Sequence, residues 1–117
     1  MQTYQFEYIG KWPSSNIVYR LNHRQRHKLE MEYKQLFTTL LGEQELPSIN
    51  KFRIHLEYRS RLDADNTVPG LKVFVDTLRS LDIVTQDTSK HYCGLSITPN
   101  LRLPVNNTYL IKLEVLG

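Results

Sequence analysis

Apolar and polar residues alternate along two short stretches of this chain and recur at three- and four-residue intervals along two longer ones. Tyr4, Phe6 and Tyr8 are separated by Gln5 and Glu7, the period-two pattern of a half-buried strand. Phe52, Ile54, Leu56 and Tyr58 alternate with Arg53, His55, Glu57 and Arg59. That predicts a second strand with one face in the core and the other wet and cationic. Between them Leu29, Tyr33, Leu36, Phe37, Leu40 and Leu41 fall at helical spacing. They predict a helix from about Arg24 to Leu41, with Gly42 as its stop. Leu71, Phe74, Val75 and Leu78 form the stripe of a second helix, from about Pro69 to Leu81, where Pro69 suits the first helical position.

The remaining segments complete the outline. Lys11 to Asn22 carries Pro13 and the run Ser14-Ser15-Asn16 and reads as a loop, and Ser60 to Thr67 reads as a polar loop. Ile83 and Val84 make a short apolar segment, and strands are expected over Lys90 to Ile97 and Thr108 to Leu116. Strand, helix, strand, helix, then strands is the order of an α+β domain, with two helices packed on one mixed sheet. No repeat, low-complexity run or Gly/Ser/Pro-rich linker divides the 117 residues, so residues 1–117 are expected to form one domain.

Composition narrows the classes of function. The hydrophobic fraction of 40% and the charged fraction of 23% suit a folded chain rather than a disordered one. No stretch approaches the ~20 apolar residues needed to span a bilayer, and Met1 to Ile9 lacks the apolar core of a signal peptide. A soluble, cytoplasmic protein is expected, nucleoid-associated if DNA is its partner. The single cysteine, Cys93, excludes an internal disulfide and is expected to fill a buried apolar position. His23 and His27 share a helix face, but no third ligand stands near them in sequence. The net charge of +3 is unevenly spread: Arg20, Arg24, Arg26 and Lys28 cluster early, and Arg53, Arg59 and Arg61 lead into an acidic pair. Such clusters neutralise phosphates or simply form a solvated face, and charge alone does not separate the two.

The chemistry is concentrated in Arg61-Leu62-Asp63-Ala64-Asp65-Asn66, followed by Lys72, Asp76 and Asp87. In extended backbone, residues two apart point to one side, so Asp63 and Asp65 are expected to present their carboxylates together. Two anions held close are tolerated when a cation lies between them or one is protonated. Oxygen ligands without a soft neighbour favour Mg²⁺, or Mn²⁺, over zinc. Lys72 and Asp76 are four apart and share a helix face, from which Lys72 can reach a phosphate. An EF-hand loop starting at Asp63 would place Val68 at the obligatory glycine and Phe74 at the terminal glutamate, which excludes that motif. Sugar-nucleotide transferases also carry Asp-x-Asp, but they require a nucleotide-binding domain for which the chain is too short. A solvated acidic turn, bent at Asn66, remains the plain alternative.

The ordered set Asp63-x-Asp65-Asn66, Lys72-x-x-x-Asp76-x-Leu78 and Ile83-Val84-x-x-Asp87 resembles the RusA family of Holliday-junction resolvases. The loop Trp12-Pro13-Ser14-Ser15-Asn16, followed by Tyr19-Arg20, is similar to that family's N-terminal loop. The resemblance implies a RusA-like fold and a homodimeric, Mg²⁺-dependent endonuclease acting on four-way DNA junctions. It assigns the metal to Asp63, Asp65 and Asp87, the essential lysine to Lys72, and supporting places to Asn66 and Asp76. The family's usual acidic pair reads Gln86-Asp87 here, and the gap from Asn66 to Lys72 is longer than in its best-known member. Two further readings therefore stand beside the resolvase: a catalytically silent binder of branched DNA, and a less selective flap or fork nuclease. Arg20, Arg24, Arg59 and Arg61 are the expected phosphate contacts, and Trp12 and Tyr19 are either base-stacking or packing aromatics.

Overall fold

The computed structural model describes residues 2–117. Strand β1 (Gln2–Ile9) is followed by a one-turn helix α1 (Ser15–Val18) and the long helix α2 (His23–Leu41). Then come β2 (Phe52–Arg59), a 3-10 turn at Ala64–Thr67, α3 (Val68–Ser80), β3 (Tyr92–Pro99) and β4 (Thr108–Val115). The four strands form one sheet in the order β1-β4-β2-β3. β4 runs antiparallel to both β1 and β2, whereas β2 and β3 are parallel and joined across α3. The sheet is mixed and the domain is α+β.

Register explains which residues enter the core. Tyr58, Leu56 and Ile54 lie opposite Tyr109, Ile111 and Leu113 on β4, which in turn face Tyr8, Phe6 and Tyr4 on β1. Period-two alternation puts this whole set on one face, and the helices cover it. Phe74 of α3 meets Phe6 at 5.9 Å between ring centroids, and Phe37 of α2 meets Phe74 at 5.5 Å edge-on. The opposite face carries the polar alternates. There Glu114 pairs with both Arg53 and His55, and Lys112 pairs with Glu57.

Helix ends follow local chemistry. Asn22 caps α2 reciprocally with Gln25, each side chain bonding the other's backbone N–H, a capping box that places the helix start one residue before the expected Arg24. Gly42 ends α2 as expected, with a right-handed φ of −70° rather than the left-handed conformation common at such stops. α3 ends at Ser80, one residue short of the expected Leu81, and Asp82 reverses the chain at φ 57°, a conformation Asp tolerates better than most residues. β3 begins two residues after the expected Lys90, because the backbone N–H groups of His91 and Tyr92 both turn back onto the Thr88 carbonyl.

Three expectations need correction. Lys11 to Asn22 is not all loop: Ser14 accepts from the N–H groups of Ile17 and Val18, and burying Val18 stabilises the single turn of α1. Ser60 to Thr67 is not all loop either, since Ala64–Thr67 is a 3-10 turn running directly into α3. Cys93 is exposed rather than buried: it lies on the edge strand β3 where the register with β2 slips between Tyr92 and Leu95.

α3 is buried on nearly every side. Gly70, Leu71, Val73, Phe74, Val75, Thr77 and Leu78 are all buried, and only Val68, Lys72, Asp76, Arg79 and Ser80 are exposed. Gly70 has no room for a side chain, because an added Cβ would lie 2.2 Å from the Trp12 ring. Gly70→Ala is therefore expected to destabilise the fold by about 1–3 kcal/mol through overpacking. Thermal unfolding monitored by circular dichroism should show Tm lowered by roughly 4 °C or more. An unchanged Tm would show that the indole yields freely.

Candidate acidic site at the start of helix α3

Asp63, Asp65 and Asn66 lie in the connection from β2 to α3. Asp63 has extended backbone (φ −73°, ψ 156°) and its side chain does not cap the turn, while Asp65 lies within the 3-10 turn. Both aspartates are exposed and Asn66 is half-buried. The expectation of extended backbone across both aspartates is thus corrected: Asp63 is extended, but Asp65 lies in a 3-10 turn, which rotates the chain by about 120° per residue. The two acids are instead related through Tyr58. Burial pushes its phenol above the usual tyrosine range, and the charges of Asp63 and Asp65, with Tyr109 between them in weight, push it further. Placing acids just before the N-terminus of α3 is electrostatically favourable, since the helix dipole is positive there.

Internal hydrogen bonds hold the segment. Asn66 N–H donates to Asp63 O at 3.0 Å, and Thr67 Oγ1 donates to Ala64 O at 2.6 Å. From outside, Tyr58 Oη donates to Leu62 O at 2.7 Å and Trp12 Nε1 donates to Thr67 O at 2.8 Å. Trp12 is buried and Tyr19 is 73% exposed, so of the two aromatics only Tyr19 is placed to meet a base.

The exposed stripe of α3 forms the second half of the site. Lys72 and Asp76 lie one helical turn apart and border a groove that also takes in Asp87 and the ring of Tyr92 from beyond the helix. Asp76 has its carboxyl pushed above the ordinary range by partial burial. Lys72 and Lys34 oppose that shift, whereas Asp87 and Glu30 add to it. Lys72 thus acts on Asp76 through space, and among the described residues the two do not close to an ion pair. Asp87 Oδ1 lies 3.6 Å from Arg79 Nη1, a partner that sequence reasoning missed although Arg79 sits at the end of the same helix.

The structure therefore brings Lys72, Asp76 and Asp87 together on one side of α3 and Asp63 with Asp65 at its start. Among the described residues no three acidic, histidine or cysteine side chains come close enough to form a ready-made metal cage. The basic candidates divide as well. Arg20, Arg24 and Arg61 are exposed, while half-buried Arg59 donates to Leu103 O at 2.7 Å and holds the loop before β4. No helix among the described residues is long and apolar enough to cross a membrane.

No family model matches the chain and no curated protein matches it, so the geometry of these residues carries the functional reading.

The shift at Asp76 fixes a pH dependence. A carboxyl with a raised folded-state pKa binds its proton more tightly when folded, so its ionisation lowers stability as pH rises through the carboxylate range. Asp76→Asn is expected to raise Tm at pH 7, with the gain vanishing below about pH 3.9, where the unfolded carboxyl is also protonated. Paired melting curves at the two pH values check this, and a variant less stable than the parent at pH 7 would contradict it.

Proposed function

We propose that this chain is a divalent-metal-dependent endodeoxyribonuclease that resolves four-way DNA junctions by paired nicks. The observation that carries the reading is the gathering of four exposed functional side chains, Asp63, Asp65, Lys72 and Asp76, and half-buried Asp87 around one buried helix. Asp63 and Asp65 lie at the start of α3, and Lys72, Asp76 and Asp87 border its only open stripe. The order of these residues along the chain, similar to that of RusA-type resolvases, supports it.

The donor set suits a hard cation. Mg²⁺ prefers carboxylate oxygen, keeps several waters, and is commonly held by one or two carboxylates together with a substrate phosphate rather than by a closed protein cage. Asp63 and Asp65, which form no closed cage among the described residues, suit that mode of binding, and the RusA-like order of residues adds Asp87 to them as a third ligand. Once bound, the ion supplies charge neutralisation at the phosphodiester and a more acidic water. The protein's own residues do the rest. Lys72, projecting from a helix that packing holds rigid, stabilises negative charge on the phosphoryl or leaving oxygen. Asp76 positions the Lys72 ammonium electrostatically from one turn away. Arg20, Arg24 and Arg61 neutralise flanking phosphates, whereas Arg59 has a structural hydrogen bond to keep. Two nicks on opposing strands require two such sites, which a two-fold homodimer provides.

A second reading, a silent binder of branched DNA, draws on two observations. Arg79 lies 3.6 Å from Asp87 and competes for the proposed ligand, and Gln86 replaces an acid beside it.

Purified protein incubated with Mg²⁺ and a synthetic four-way junction is expected to give paired, ligatable nicks, with linear duplex left intact. Asp65→Asn should abolish cleavage, and Lys72→Ala should slow it about 100-fold or more while junction binding persists. Tight binding without cleavage in either Mg²⁺ or Mn²⁺ would favour the silent binder, and equal cutting of flaps or forks would favour the less selective nuclease. Arg61→Ala should weaken binding to every DNA shape and reduce the log–log salt slope of Kd by about 1. A slope unchanged in fluorescence-anisotropy titrations would remove Arg61 from the interface.

A further inference from the structure

Three aromatic rings on the covered face of the sheet converge on the acidic segment. Trp12 and Tyr109 stack at 4.4 Å between centroids with planes 12° apart, and Tyr58 lies parallel to Tyr109 at 5.9 Å and 5°. All three are nearly inaccessible, at 2%, 1% and 1% exposure. Their polar atoms reach the same short stretch of backbone. Tyr58 Oη donates to the carbonyl of Leu62, the residue before Asp63, and Trp12 Nε1 donates to the carbonyl of Thr67, the residue after Asn66. The Tyr109 phenol faces the Ser60 side chain, whose Oγ accepts the N–H of Leu62.

A ring serving only as core filling needs a partner for its buried donor, and any nearby carbonyl would satisfy that need. Here the two outer rings instead take the two carbonyls that bracket Asp63-Ala64-Asp65-Asn66. The Trp12 ring also lies against Gly70, in the first turn of α3, with no space left for a Cβ. The loop, the start of α3 and the sheet are therefore fixed to one another through the same three side chains.

We propose that Trp12, Tyr58 and Tyr109 form a positioning clamp that sets the backbone of the Asp63–Asn66 segment and so the separation of its two carboxylates. The inference rests on the reading of Asp63 and Asp65 as an ion-holding pair. The rings touch neither ion nor DNA; they act through the main chain. Losing a group that orients metal ligands typically costs about 10–100-fold in metal affinity.

Tyr58→Phe and Trp12→Phe each delete one donor while keeping an aromatic ring in the stack. Thr77→Val serves as the control, since it deletes a buried hydroxyl bonded at 2.7 Å to Val73 O, within α3 and away from the loop. Two measurements are made on folded, metal-free protein: amide hydrogen exchange across residues 61–68, and Mn²⁺ affinity from the electron paramagnetic resonance signal of free Mn²⁺. The clamp predicts faster exchange in this segment and Mn²⁺ affinity weakened roughly tenfold or more in both donor deletions, with neither change in Thr77→Val. If Trp12→Phe fails to fold, Tyr58→Phe, which lacks a single oxygen atom, carries the test. Exchange in residues 61–68 equal to that of the parent overturns the clamp. So does equal Mn²⁺ affinity, and that result would leave the nuclease reading intact. A parent protein that binds no Mn²⁺ overturns the nuclease reading instead, and with it the ion-positioning role of the clamp.

Discussion

Helix α3 is enclosed by the sheet beneath it, α2 beside it and the Trp12 ring over its first turn, and this enclosure governs the rest of the molecule. A helix of 13 residues with seven of them buried has only one stripe on which charged side chains avoid a desolvation penalty. Lys72, Asp76 and Arg79 occupy that stripe because no other part of the helix can accept them. The constraint extends outward: the 3-10 turn must deliver the chain to a helix start whose position is fixed by Gly70 against an indole. The loop that carries Asp63 and Asp65 inherits that position.

The same packing gives the site an internal tension. Burial raises the Asp76 carboxyl, the charges of Asp87 and Glu30 add to the rise, and Lys72 and Lys34 offset part of it. Arg79 answers Asp87. Accumulated negative charge of this kind is unfavourable by itself and is relieved by a cation or by protonation. Asp63 and Asp65 add a second concentration of charge, felt by the Tyr58 phenol, in the connection that leads into α3. The acids are thus divided between two places and form no cage among the described residues.

The polar face of the sheet contrasts with this. Arg53, His55, Glu57, Lys112 and Glu114 are mutually paired across β2 and β4, and His55 also meets Ser96 at 2.6 Å on β3. Charges that neutralise one another leave little field for a ligand on this face of the sheet. Arg59 illustrates how easily charge misleads: it continues a cationic strand face but closes a loop hydrogen bond.

Much of this was legible in the chain itself. Period-two runs at Tyr4–Tyr8 and Phe52–Arg59 and the stripe Leu71, Phe74, Val75, Leu78 determined the strands, the second helix and the face each buries, because burial demands that periodicity whatever the surroundings. The spacing that puts Lys72 and Asp76 on one exposed helix stripe was equally visible, since residue type and helical period need no tertiary context. Three matters were decided only by tertiary structure. The backbone that carries Asp65 depends on the turn that leads into α3, and an extended run from Asp63 to Asp65 is not what forms there. That Trp12 is a buried tether, and Tyr19 the exposed ring, depends on a contact between residues 55 positions apart, Trp12 and Thr67. The pairing of Asp87 with Arg79 required the chain to reverse at Asp82, and no local pattern encodes which distant charge a returning strand will meet.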